Sequence, residues 1–445
     1  MTDLKNVDDE RHPPLINDGA FTKSNLPLAS PSFKHFMLHY APLIGLDGGF
    51  TKDSIVRRLP NIVTETLSSN SDLLNASAIS LLKELAADLA SDGIVIPLLP
   101  NQPEEAWLTE YTKPYIGKRF CEIPWFFLEN YFYKRILDVT REQIDDPFFK
   151  MKEDALTGAK DAFLTSVLPL CFHGLFEDGE KMSAPLLKAA MYRSLWGNRA
   201  DLSLSAGVVL SSEGNADSDS ACLLADDSDK AVEHLLSDGE KNEVVIILDN
   251  CGLELLSDLV FSLVLLKSNP SIKITLMSKS SPVFVSDVVL MRDVESHIKF
   301  IEHLGNTMSE TDQGKISTVC AKVLREHISS GRLSVESDEF FTSPLPGWHM
   351  PERLRMRLSR NNRLTISKGD ANYRRLLGDL HWPHQINFSD VMSYFPTSIL
   401  ALRTTKAGVI VGISQAIEDK ISSLHDDWLV SGKFGLIQLR LIMDS

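Results

Sequence analysis

The sequence predicts an α/β protein: a helical N-terminal lobe packed on a Rossmann-like lobe with a central mixed or parallel sheet. Two observations lead there. Up to about residue 199, apolar residues recur at three- and four-residue spacings, the period of a helix with one buried face. From residue 243 onward, short β-rich runs alternate with helical ones, which implies a sheet with helices on its faces.

Residues 1–30 are polar and contain prolines, so a flexible arm is expected there. A helical lobe is expected over 31–199. "SDLLNASAISLLKELAADLA" (71–90) is amphipathic, and "CEIPWFFLENYFYKRILDVT" (121–140) is dense in aromatics. Pro124 suits the first turn of that second helix, where its missing N–H costs little. "APLLKAAMYRSLWGNRADLS" (184–203) reads as a helix ending near Gly197. An α/β lobe is expected over 200–445, with a flexible surface insertion at 211–230, "SSEGNADSDSACLLADDSDK". The acidic residues of that stretch lack calcium-loop spacing.

"EVVIILD" (243–249) is a continuous apolar run, as in a strand buried on both faces. "GLELLSDLVFSLVLLKS" (252–268) is a helix, and "SIKITLMS" (271–278) is a strand followed by "SPVFVSD" (281–287). Residues 292–331 are again largely helical. "RLTISKG" (363–369) and "AGVIVGIS" (407–414) are read as two further strands.

Composition limits the function. A length of 445 residues calls for two or three lobes. A formal net charge of −15 disfavours wide nucleic-acid binding, because a phosphate backbone would be repelled. The five cysteines are scattered without a CxxC pair, which speaks against a disulfide framework or structural zinc. The opening "MTDLKNVDDERHPP" is unlike a signal peptide, and "LVFSLVLL" (259–266) is too short to span a membrane. A protein of the reduced cytoplasm or nucleus is the expectation, with oligomeric state left open. His35 and His39 form an HxxxH pair without the Glu of a zinc hydrolase, so a satisfied pair on one helix face is the better reading.

In open α/β sheets, ligands collect beyond the carboxyl ends of strands. Here the apolar run stops abruptly at Asp249-Asn250, and "SPVFVSD" stops at Ser286-Asp287. Asp249, Asn250 and Asp287 offer the oxygen donors that a hard divalent ion takes. The helix after Gly252 offers amide donors to an anion. Lys279, Arg374, Arg403 and Lys406 are cations suited to phosphate oxygens. Each has a plainer reading: Asp249 or Asp287 as a helix cap, Glu254 and Asp258 as a solvated helix face, and Cys251 as a small buried residue. Together they are the parts of a phosphoryl-transfer site.

Several stretches, in this order, resemble the damage-control phosphatases, specifically their sugar-phosphate subfamily III. They are "SLWGNRADLS" (194–203), "ILDNCGLELLSDL" (247–259), "KSSPVFVSDV" (279–288), "FFTSPLPGWHMP" (340–351), "KGDANYRRLLGD" (368–379) and "RTTKAGVIVGI" (403–413). Arg403-Thr404-Thr405-Lys406 fits the RTxK pattern of that subfamily. The resemblance implies Asp249, Asn250 and Asp287 as ligands of manganese, cobalt, nickel or magnesium. Asp249 would also act as nucleophile or as orienter of water. Asp370, Asn372, Tyr373, Arg374 and Lys406 would contact a sugar phosphate such as fructose 1-phosphate or fructose 6-phosphate. Asn198 and Asp201 match a further family segment, in which Arg199 stands where Lys is usual; Val283 stands where Trp is expected.

Two rival readings follow. The family has been linked to S-adenosylmethionine-dependent methylation of protein carboxylates, with Glu254 as the candidate contact here, although no G-x-G-x-x-G follows a strand. A noncatalytic binding protein would suit the acidic surface.

Overall fold

The computed structural model of the chain describes residues 40–98, 111–176, 184–197 and 222–442. The expected N-terminal arm up to residue 30, the His35–His39 pair, Asn198, Arg199, Asp201 and residues 211–221 lie outside the described residues.

Among the described residues seven strands form one sheet: β1 (Leu223–Asp226), β2 (Glu243–Ile247), β3 (Lys273–Lys279), β4 (Leu333–Asp338), β5 (Asn362–Lys368), β6 (Ile399–Thr404) and β7 (Gly435–Arg440). Their spatial order is β1-β7-β6-β5-β2-β3-β4. β2 to β6 run parallel, and β7 is antiparallel to β6. β2 is flanked on both sides, with Ile246 opposite Leu276 of β3 and Ile366 of β5. Every β2 residue after Glu243 is buried, as the unbroken Val-Val-Ile-Ile run requires.

Alternation along β2 divides the core in two. Val245 and Ile247 face a cluster built with α1 (Leu59–Ser69), α2 (Ala76–Ala90) and α3 (Trp125–Thr140). Val244, Ile246 and Leu248 face a second cluster. Its helices include α4 (Phe149–Gly158), α5 (Leu168–Phe176), α6 (Ala184–Trp196), α7 (Ser228–Leu236), α8 (Leu253–Ser268), α9 (Leu290–Thr307) and α10 (Asp312–Ser329). α8 is buried at every residue except Lys267, because α6, α5 and α10 wrap it from outside. The expected lobe boundary at 199 therefore does not mark a change of core. The first cluster takes in Phe148 and the second begins at Leu156, so α4 to α6 belong to the sheet's second cover.

β4 and β7 were not read from the sequence, and three further readings are corrected. "AGVIVGIS" is not a strand. Gly412 has φ +76°, and the backbone of this loop is met by side chains instead of a ladder: Gln438 Nε2 donates to Val411 O at 2.7 Å, and Arg403 donates to Val409 O. The sheet position belongs to "ILALRT" (399–404) just before it. The described part of the expected insertion, residues 222–230, carries regular structure: β1 pairs with β7, and α7 begins at Ser228. Pro124 stands at the N-cap of α3, one residue outside the first turn. Among the described residues no helix is long and apolar enough to cross a membrane.

α9 is tied to the start of α8 by a buried histidine. The Gly252 N–H donates to His297 Nε2 at 2.7 Å, and His297 Nδ1 donates to the Asp293 carbonyl at 2.7 Å. Accepting at Nε2 needs the neutral ring, and burial pushes its pKa from 6.5 down to about 4. Burial does the same to His349, also to about 4. As pH falls, the unfolded chain takes up these protons first, so stability is full above pH 6.5 and is lost as pH drops towards 4. The expected loss between pH 7 and pH 5 is about 2 kcal/mol per imidazole. Urea unfolding at the two pH values measures it, and His297→Gln should remove part of the dependence.

Candidate active site

The strand order reverses at β2. β3 and β4 follow on one side, and the chain then crosses back to place β5 and β6 on the other. Such a switch leaves a crevice outside the carboxyl ends of the two diverging strands. A cleft of about 480 Å³ lies there, lined by Asp249 and Asn250 after β2, Ser286 and Asp287 from the loop after β3, Asp370 and Ala371 after β5, and Lys406 after β6.

Asp249 and Asp287 are both buried at the cleft floor. The loop carrying Asp287 folds back onto the end of β2: Asn250 and Asp287 form an isolated bridge, and the Val288 N–H donates to Asp249 O at 2.9 Å. Lys279 donates to Asp287 Oδ1 and lies 3.7 Å from Asp249 Oδ1. It is buried and does not line the cleft, so it reaches both carboxylates from the protein side. The Phe284 N–H donates to Asp287 Oδ2 at 2.9 Å. Asn250 donates through Nδ2 to Asp249 Oδ2 at 2.8 Å and to Glu254 Oε2 at 2.9 Å, and its Oδ1 accepts from Ser286 Oγ at 2.5 Å.

Asp249 Oδ1 is buried without a hydrogen-bond donor. Burial raises the Asp249 carboxyl to about 8, against the opposing pull of Lys279 and Lys368 and with the support of Glu254 and Asp287. Lys279, which Asp249 shares with Asp287, thus only partly compensates the ionised carboxylate. Among the described residues no three His, Cys, Asp or Glu side chains gather as an ion-binding group. Where the end of β2 meets the loop after β3, the donor set is two carboxylates and one amide oxygen.

The structure redistributes the other sequence-selected residues. Asp370 and Lys406 line the cleft as expected. Arg374 lines it too, but its guanidinium is held by both oxygens of Asp379, at 2.7 and 2.9 Å, and by Glu129. Arg403 does not line the cleft. It is fully buried, donating to Asp370 at 2.8 Å and to the Ala407 and Val409 carbonyls, over the Tyr373 ring. Arg403 positions Asp370 instead of meeting a ligand.

Asn372 and Tyr373 also point away from the cleft. Asn372 Nδ2 donates to the Leu248 and Lys368 carbonyls at 3.0 and 2.9 Å, joining the ends of β2 and β5. The Tyr373 hydroxyl donates to Gln438 at 2.9 Å inside the core. Helical periodicity explains this: on α11 (Gly369–Leu377), Asp370 and Ala371 open the helix at the cleft, while the next residues turn inward. Glu254, the contact on which methyl transfer would depend, is buried between Asn250 and Lys368 and does not line the cleft. Cys251 is a buried thiol raised by burial, in keeping with its plainer reading.

The expected anion donors after Gly252 are partly occupied. The Gly252 N–H goes to His297, and the Cys251 N–H goes to Ser286 O at 2.6 Å. The first turn of α11 meets the cleft instead, and its opening amides have no intrahelical acceptors. Sequence reasoning missed the opposite wall: Arg58, Glu129 and Tyr133, supplied by the helical layer. Glu129 takes Arg58 at 3.2 Å on one oxygen and Arg374 on the other. A carboxylate amid the aromatics of "WFFLENYFY" was the available signal; Arg58 gave none.

A polar centre at this switch point defines an α/β protein with a small-ligand site between strand ends and a helical wall. The chain belongs to the damage-control phosphatase family: the model of the damage-control phosphatase ARMT1-like domain matches residues 53–421. The damage-control phosphatase ARMT1 of Bos taurus is 29% identical, over 88% of this chain and 96% of its own length. That of Rattus norvegicus is 30% identical, over 81% and 86%. That of Homo sapiens is 29% identical, over 89% and 98%.

Gly369 makes the floor possible. Its φ is +79°, and a Cβ there would fall 1.8 Å from Asp249 Oδ2. Gly369→Ala should therefore displace Asp249 and cost about 2 kcal/mol or more of stability. A lowered urea midpoint is the readout, with Gly331→Ala as a control: its φ is +70° but it has open space around it.

Proposed function

We propose that the chain is a metal-dependent phosphomonoesterase acting on sugar phosphates such as fructose 1-phosphate and fructose 6-phosphate. The observation that supports this is Asp249 Oδ1, a buried carboxylate oxygen without a donor, in a cleft wall shared with Asn250 and Asp287. The relatives are named damage-control phosphatases, which supports the phosphatase part of this reading.

The donor set suits manganese, cobalt, nickel or magnesium. Asp249, Asn250 and Asp287 would hold the ion; each engaged carboxylate oxygen of Asp287 keeps a second lone pair. When bound, such an ion neutralises and polarises phosphoryl oxygens. Lys406 and the opening amides of α11 take phosphoryl oxygens from the other side. Asp370, fixed by Arg403, and the Arg58–Glu129 wall receive the sugar. Asp249 either attacks phosphorus in line or holds the water that does. Acid quench during turnover followed by borohydride reduction separates the two routes, because only a phospho-aspartate is an acyl phosphate that reduction converts to homoserine at position 249.

The deciding assay is phosphate release from fructose 1-phosphate, with EDTA and then with each of the four metals. Release is expected with metal only, and Asp249→Ala should lower it by at least ~10³-fold while the fold is retained. No release with any of the metals from a folded wild-type chain would overturn the proposal, as would substantial activity in Asp249→Ala.

A further inference from the structure

We propose that Glu254, held in place by Lys368, is a positioning residue: it fixes which end of the Asn250 amide faces the cleft, and so the oxygen that a divalent ion takes from this residue. The inference rests on the metal-dependent reading above.

The two ends of an asparagine amide have nearly the same shape, so hydrogen-bond partners alone decide which way it points. The Ser286 hydroxyl, 2.5 Å from Oδ1, cannot decide, since it both donates and accepts. Asp249 Oδ2 and Glu254 Oε2 can. Both are carboxylate oxygens, at 2.8 and 2.9 Å, and ionised they accept only. An amide oxygen turned towards them would meet two like-signed atoms. Asp249 itself faces the cleft, where an ion would compete for its charge. Glu254 is buried outside the cleft lining, so its bond to Asn250 persists whatever the cleft holds.

Glu254 is in turn fixed. Lys368 Nζ lies 3.1 Å from Glu254 Oε1, 3.0 Å from Asp258 Oδ1 and 2.6 Å from the Ser194 carbonyl. Three acceptors match the three ammonium protons, and Lys368 is fully buried. One oxygen of Glu254 thus serves the lysine and leaves the other for Asn250. Glutamine at 254 has only one oxygen. The ammonium would claim it, the N–H end would face Asn250, and the Asn250 amide would turn over.

The test is manganese binding to the purified full chain, followed by the electron paramagnetic resonance of free Mn(II). Four chains form a cycle: wild type, Glu254→Gln, Asn250→Ala and the double variant. Glu254→Gln should weaken binding about 10- to 100-fold in the Asn250 chain, the usual range for a residue that orients a ligand, and should have little further effect once Asn250 is alanine. Equal losses in both backgrounds, or no loss in the first, would overturn the inference and leave the metal reading standing. A wild type that takes up no manganese would sink both. Thermal unfolding of the same chains checks the fold. Should Glu254→Gln not fold, Lys368→Arg replaces it in the cycle: it keeps the charge but moves the oxygen of Glu254, and the same pair of outcomes decides.

Discussion

One buried lysine holds the two halves of the site together. Lys368 closes β5, and its ammonium is shared by Glu254 and Asp258, one helical turn apart on α8, and by a carbonyl at the end of α6. Taking an ammonium out of water costs several kcal/mol, and only a full set of acceptors offsets it. Burial alone would lower its pKa, but Asp258 and Glu254 outweigh burial and raise it. The lysine thus stays charged, and β5, α6 and α8 are bound to one geometry. Removing either carboxylate would leave a buried charge short of a partner, so this interaction constrains the fold more than it adds to its stability.

That constraint reaches the cleft by two short paths. Through Glu254 it reaches Asn250. Through the backbone it sets Gly369, whose positive φ lets α11 start against Asp249 with no Cβ between them. The helical layer then closes the other wall, where Arg58 and Arg374 flank Glu129. Aromatic rings of α3 lie against Arg374, 5.8 Å from Trp125 and 5.1 Å from Phe126, so the aromatic density of this helix serves to seat a cation as well as to fill a core.

The parts of this arrangement visible in the sequence were those governed by short-range rules. The unbroken apolar run of β2 and its sudden end at Asp249-Asn250 located both the central strand and the site. "AGVIVGIS" misled because apolarity marks burial and not pairing; its backbone is held by Arg403, Gln438 and the Ile386 and His384 carbonyls, partners that no local pattern discloses. Asn372 and Tyr373 were read as ligand contacts from the family resemblance, and Arg403 as a cation suited to phosphate, yet none of the three lines the cleft. On a helix or strand, neighbours in sequence face different ways, and a one-residue step separates Asp370 at the cleft from side chains that hold its floor. Arg58 and Glu129 were out of reach for a different reason: they meet the site only through tertiary packing, far from the strand ends in the chain.

Cations around the cleft, those chosen from sequence and those that were not, are engaged by carboxylates. Arg403 answers Asp370, and Arg58 and Arg374 answer Glu129 and Asp379. Lys279 is shared by Asp249 and Asp287, and Lys368 by Glu254 and Asp258, so each of these lysines faces two carboxylates. Negative charge is therefore in surplus at the floor, and Lys406 at the cleft answers only part of it. A dianionic phosphate entering alone would be repelled by this surplus; entering with a divalent cation, it would not. Burial raises the Asp249 carboxyl, and the neighbouring Glu254 and Asp287 add to the effect: the floor draws a positive charge, and a proton is the smallest one available. In the reading proposed here, the acidic floor is what makes phosphate binding depend on the metal.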